Sequence, residues 1–138
     1  MAAHNELGRW GEAYVANVLG NLATVRPGRR ADLRWLGLEI EVKTARIGHY
    51  NGHGRGYQFC LHRQGQGRRG VQAPVVVLVC VSAENYRDPD VLVIPRGALG
   101  KRRKVNVAAS FNGPWAEYHG RWELLADYID DGEVQDGR

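Results

Sequence analysis

Asp32, Glu39, Glu41 and Lys43 crowd one short stretch of the chain, RADLRWLGLEIEVKTAR, residues 30–46. Apolar and polar residues otherwise alternate there, as in half-buried strands. If the chain turns between Leu36 and Gly37, Trp35 faces Leu38 and Leu33 faces Ile40 on one apolar side, which Val42 extends. Arg34 then faces Glu39, and Asp32 faces Glu41, on the other. The first of these polar pairs is an ordinary cross-strand ion pair of little energetic weight. The second sets two carboxylates against each other, which destabilises a sheet unless one is protonated or a cation sits between them. Two converging carboxylates suit Mg²⁺, which takes oxygen ligands and keeps waters for a substrate phosphate. Lys43 follows Glu41 by two residues and points the same way. It could hold a reacting water or stabilise charge at a phosphate. Together these groups suit phosphodiester hydrolysis by metal-activated water.

The elements that must position them are legible in the same way. Asn5 is placed to cap a helix over residues 6–19. Leu7, Trp10, Tyr14 and Val18, with Gly11, Val15 and Leu19, form its apolar side, and Gly8 and Gly11 invite close approach by another backbone. Residues 31–36 and 38–45 read as the two strands of the hairpin. The segment 48–56, GHYNGHGRG, has the composition of a mobile loop. Residues 57–62 alternate as a strand, with Tyr57, Phe59 and Leu61 on one side and Gln58, Cys60 and His62 on the other. Residues 64–70 form a second glycine- and arginine-rich loop. Residues 73–82 read as a buried central strand, residues 90–95 as a strand stopped by Pro95, and residues 104–109 as an edge strand or an irregular segment. A closing helix over 121–129 buries Trp122, Leu125 and Ile129. Trp10, Trp35 and Trp122 are expected in the core, and Trp115 packed on a sheet edge. The acidic tail, about 130–138, is expected to be flexible. This order gives an α/β fold, a mixed central β-sheet flanked by helices, in a single domain over residues 1–138.

No apolar run reaches the roughly 20 residues that cross a bilayer, and no secretory pattern opens the chain. A cytoplasmic protein is therefore expected, with no membrane partner and with Cys60 and Cys80 as buried free thiols. The net charge of +4 is modest, but the cations concentrate in glycine-rich and polar segments. Arg29, Arg30, Arg46, His49, His53, Arg55, Arg68, Arg69 and the run Lys101, Arg102, Arg103, Lys104 are the candidate contacts to an anionic partner. His49 and His53 have a spacing that could ligate zinc, but on a helix and not in a segment with four glycines. They are read as loop histidines facing solvent or phosphate.

An acid on one strand, a hairpin, then acid-x-Lys on the next strand resembles the PD-(D/E)xK nuclease superfamily, which includes restriction endonucleases, Holliday-junction resolvases and some homing endonucleases. Asp32 matches the first acid and Glu41-Val42-Lys43 the second element. The helix segment GRWGEAYV is similar to the one that supplies a further glutamate in many members, at Glu12. The likeness covers about residues 6–45. No proline precedes Asp32, where Ala31 stands. The resemblance implies a restriction endonuclease-like core and a Mg²⁺-dependent endonuclease acting on duplex or branched DNA, with Mn²⁺ able to substitute. It implies Asp32, Glu41 and the Val42 carbonyl as metal ligands, and Lys43 positioning or activating the attacking water. Glu12 would orient Lys43 or reach the metal through water. A polar residue on the following strand also serves in some members, for which Gln58 is the candidate. A nuclease of this size that cuts both strands is expected as a homo-oligomer, a dimer or higher. The rival readings are a non-catalytic nucleic-acid-binding module on the same fold and a structural assembly component.

Overall fold

The computed structural model describes residues 2–20, 23–25, 32–50, 52, 54–61 and 71–129. Helix α1 (Ala2–Val18) is followed by β1 (Ala23–Val25), β2 (Leu33–Trp35), β3 (Leu38–Arg46), β4 (Gly48–Tyr50), β5 (Gly54–Cys60), β6 (Val75–Val81) and β7 (Asp90–Pro95). A short helix α2 (Arg96–Leu99), β8 (Lys104–Ala108), a 3₁₀ turn (Ala116–Tyr118) and a final helical segment, α3 (124–129), complete the order. The fold is α/β. Among the described residues, no helix is long and apolar enough to cross a membrane.

A five-stranded sheet, ordered β1-β2-β3-β6-β7, lies at the centre. β3 and β6 run parallel, Ile40 beside Val75 through Arg46 beside Val81, while the other pairs are antiparallel. The sheet is therefore mixed, as expected. β6 is VVVLVCV, and all but its last residue are buried, because both of its faces are covered. The odd-numbered valines Val75, Val77 and Val79 join Ile40, Val42, Leu33, Val91 and Val93 in a core closed by Val15 and Leu19 of α1 and Leu125 of α3. The even-numbered residues Val76, Leu78 and Cys80 join Leu92 and Ile94 in a second core. That core is closed by Tyr57, Phe59 and Leu61, and by Val105 and Val107.

Helices thus cover one face of the central sheet. The other is covered by a second, three-stranded antiparallel sheet, β4-β5-β8, a layer not expected from the sequence. A parallel strand pair needs a long crossover, and here the connection from β3 to β6 is spent on the β4–β5 hairpin. The segment 48–56 is that hairpin, with Gly48 beside Gly56 and Tyr50 beside Gly54. Two of its glycines serve geometry. Gly52 turns the chain at φ 79°, and a Cβ on Gly56 would sit 2.3 Å from the Val107 carbonyl oxygen.

Four further expectations need correction. Asn5 lies inside α1, which begins at Ala2. Among the described residues of this stretch, only Gly11, Val15 and Leu19 are buried, and Trp10 and Val18 are 39% and 42% exposed. The cause is Gly11: a Cβ there would lie 1.8 Å from Thr44 Oγ1. α1 approaches β3 along its smallest side chain and turns the bulky Trp10 outward. Gly8 has open space around it and marks no such contact. Cys60 is exposed, while Cys80 is buried as a free thiol. Trp35 and Trp122 pack against the first core, Trp115 against the second, and residues 104–108 form β8. The loop 64–70 and the tail 130–138 lie outside the described residues.

Candidate active site

The hairpin holds the predicted register. Leu33 lies beside Ile40, Arg34 beside Glu39 and Trp35 beside Leu38. The two-residue turn has positive φ at both positions, Leu36 at 51° and Gly37 at 87°. This is the twist that a tight hairpin needs, although leucine is a costly residue at the first position. Beyond Leu33 the expectation fails, because the chain leaves the ladder at Asp32. The Asp32 N–H donates to the Ile40 carbonyl at 3.1 Å, and its side chain turns across to β3. There Asp32 Oδ2 accepts the Val42 N–H at 2.9 Å. The carboxylate does not simply face Glu41; it is anchored on the backbone of the residue between Glu41 and Lys43.

β3 carries the rest of the site, and its pairing explains the layout. β6 pairs with Ile40 through Arg46, whereas β2 pairs only with Leu38 through Ile40. Among the described residues, no strand pairs with residues 41–46 on the β2 side. The Ile40 carbonyl and the Val42 N–H both bond toward that side. The peptide groups of β3 alternate in direction, so the Val42 carbonyl points there too, next to the Asp32 carboxylate. Glu41 and Lys43 share the opposite parity and the face of the second sheet. Glu41 is 1% exposed, and Lys43 Nζ lies 3.1 Å from its Oε2 with the lysine side chain 23% exposed. A carboxylate so deeply buried needs a cation or strong hydrogen bonds to remain charged. The Lys43 ammonium supplies the cation while keeping part of its surface in solvent.

The structure thus brings Asp32, Glu41, Val42 and Lys43 together. Glu12 is half-buried on α1, one residue beyond the Gly11–Thr44 contact. That contact is on the face of β3 opposite Glu41 and Lys43. Gln58 is not brought to the site. Its neighbours Tyr57 and Phe59 point inward to the central sheet, so Gln58 points outward, where its Nε2 donates to Asn106 Oδ1 at 3.0 Å. A full sheet layer separates it from Lys43, and it leaves the candidate set.

The basic residues divide between the two ends of the sheet. α2 continues from Pro95, which pairs with Val75, the register partner of Ile40. Lys101, Arg102, Arg103 and Lys104 follow α2, are all exposed, and sit at the Asp32–Glu41 end. The Arg102 guanidinium lies 5.3 Å above the Trp115 ring. Arg46, His49 and Arg55 are exposed at the other end. His49 is beside Arg55 in the β4–β5 hairpin, and Arg55 reaches Glu84 at 3.7 Å. Arg29, Arg30, His53, Arg68 and Arg69 lie outside the described residues.

Two polar arrangements had no signal in the sequence, because their members are far apart along it. His119 Nε2 is 2.9 Å from Asp90 Oδ1, and Asn85 Nδ2 donates to Asp90 Oδ2 at 2.8 Å. Tyr14 Oη donates to Asp88 at 3.1 Å, tying α1 to the loop before β7. Burial, then the Asp88 bond and charge, raise the Tyr14 hydroxyl to about 12.

Among the described residues, no three His, Cys, Asp or Glu side chains gather into a metal-holding group. The groups that would be offered to an ion beside Asp32 are its own carboxylate, bonded to the Val42 N–H, the Glu41 carboxylate one residue away and the Val42 carbonyl. That set fits Mg²⁺, which commonly uses one or two carboxylates and fills its other positions with water and substrate phosphate; it does not fit a structural zinc site. No protein-family model and no curated protein matches this chain.

Proposed function

We propose that the protein is a Mg²⁺-dependent endonuclease that hydrolyses phosphodiester bonds of DNA, built on a restriction endonuclease-like core. The observation that carries this reading is the buried Glu41, held 3.1 Å from Lys43, with the Asp32 carboxylate anchored on the Val42 N–H between them. An exposed charged hairpin would need none of this burial.

Asp32, Glu41 and the Val42 carbonyl would hold the ion, with Mn²⁺ serving in its place. The bound ion would polarise the phosphate and acidify a water. Lys43 has the exposure to donate to a phosphate oxygen or to the attacking water, and its charge opposes the negative charge that builds in the transition state. Glu41 holds the ammonium in place. Glu12, on the α1 face of β3, is proposed to reach the ion through water past the β3 edge and not to touch Lys43 directly. The exposed run Lys101–Lys104, at the same end of the sheet, would follow the backbone of a duplex or branched substrate. The enzyme is proposed to act in the cytoplasm, as a homo-oligomer when it cuts both strands.

The test is a cleavage panel of supercoiled, linear, branched and single-stranded DNA with Mg²⁺ and with Mn²⁺. Cleavage of at least one substrate, abolished by chelation, supports the reading. No cleavage of any substrate with either ion contradicts it. The second reading, a non-catalytic nucleic-acid-binding module, draws on the Lys43 ammonium already standing 3.1 Å from Glu41 Oε2. It predicts salt-sensitive binding throughout the panel with no cut under either ion.

A further inference from the structure

A cleft of about 290 Å³ opens between α1 and the end of the central sheet, lined by Glu6, Leu7, Trp10, Arg46, Val81 and Tyr86. Two of its aromatic side chains are unusually open for their type, Trp10 at 39% and Tyr86 at 51%. Both are held in place. Trp10 stacks on Tyr14 with ring centroids 6.0 Å apart and planes within 8°, and Tyr14 is tied to Asp88. Tyr86 Oη accepts the Arg87 Nε–H at 3.1 Å, and that guanidinium lies 5.6 Å from the Tyr86 ring centre. Arg46 lies on the wall, while Arg9 and Arg87 are exposed on the two flanking elements. Among the described residues, Glu6 is the one acidic residue on the lining.

Fixed aromatic faces beside arginines are the chemistry that holds unpaired bases: the rings stack on any base, and the guanidinium groups neutralise phosphate. A paired base has both faces covered by its neighbours and offers none to Trp10. We propose that this cleft is a subsite for single-stranded DNA, with one unpaired base stacked on Trp10 and Tyr86 and its phosphate on Arg46. The cleft shares with the proposed nuclease activity the premise that DNA is the partner. It does not share the chemistry, since Trp10 and Thr44 lie on the face of β3 away from Glu41 and Lys43.

The experiment uses the full wild-type chain in buffer with a chelator, so that no substrate is cut. Binding of a short oligothymidine and of a blunt duplex is followed by fluorescence anisotropy, and tryptophan emission is recorded in parallel. The oligothymidine should quench emission, and the quench should disappear in Trp10→Phe. Trp10→Ala and Tyr86→Ala should each weaken single-strand binding on the order of tenfold, with duplex binding unchanged. Tyr86→Ala alters an exposed loop residue and stands if Trp10→Ala fails to fold. Equal losses on both DNAs, or no loss on either, would overturn the proposal. So would a chain that sediments as a dimer and becomes a monomer on Trp10→Ala, since the cleft would then be covered by a second copy. Metal-dependent nicking by the wild-type chain without this binding would remove the subsite and leave the nuclease reading standing.

Discussion

Lys43→Ala should destabilise the protein by an amount set by the burial of Glu41. At 3.1 Å and an effective dielectric constant of about 20, the Coulomb attraction is about 5 kcal/mol before desolvation is subtracted. Removing the ammonium leaves a carboxylate with 1% exposure facing an apolar sheet interior. Breaking a buried pair on one side costs roughly 3–5 kcal/mol. The lysine's residual solvent contact argues for the lower end, about 3 kcal/mol, or roughly 10 °C in melting temperature for a chain of this size. Most of that cost is a buried charge that has lost its lysine, so Glu41→Gln in the Lys43→Ala background should recover much of it. Thermal unfolding followed by circular dichroism, in buffer with a chelator, measures all three chains. Lys43→Ala melting within ~2 °C of wild type would show that Glu41 does not depend on Lys43. A double variant no more stable than Lys43→Ala would show that the buried Glu41 charge is not the source of the loss.

Three other outcomes follow from the geometry. Gly11→Ala pushes a Cβ into Thr44 Oγ1 and should cost about 1–3 kcal/mol, whereas Gly8→Ala, in open space on the same helix, should gain about 0.5–1 kcal/mol. Thermal melts should move in opposite directions. In the folded state a thiol reagent should modify exposed Cys60 within minutes, and Cys80, which is buried and whose thiol burial pushes upward, only on unfolding. Mass spectrometry of the labelled chain reads this. Tyr14 ionises at about 12 in the folded chain against 10.0 unfolded, so its contribution to stability is complete below pH 10 and lost as the pH rises toward 12. Tyr14→Phe should flatten the fall in urea midpoint across that window, and an unchanged slope would show that Tyr14 is not the group responsible.

Local alternation carried much of the fold. It placed the hairpin and its register, the inward set Tyr57, Phe59 and Leu61, and the buried run that became β6; Pro95 ended β7 as expected. What local patterns do not carry is which of two faces a neighbour covers. Gln58 was assigned to the right side of its strand, but that side faces away from the site because a second sheet, not a helix, lies over Glu41. β4 is three residues long inside a glycine-rich segment, too short for any periodicity to show. Trp10 and Val15 belong to adjacent stripes of one helix, and only the Gly11–Thr44 contact decides which stripe goes inward. At the site, parity alone grouped Asp32 with Glu41 and Lys43. It could not show Asp32 leaving the ladder to hold the Val42 N–H, since that depends on where the pairing with β2 stops.

The decisive rate is the nicking of supercoiled circular DNA by the purified chain as Mg²⁺ is titrated, beside Glu41→Gln prepared in the same way. Nicking by a Mg²⁺-dependent endonuclease should rise with Mg²⁺ and saturate, with none above background from Glu41→Gln while that variant remains folded. Nicking by Glu41→Gln at the wild-type rate, or nicking that persists in the presence of a chelator, would contradict it.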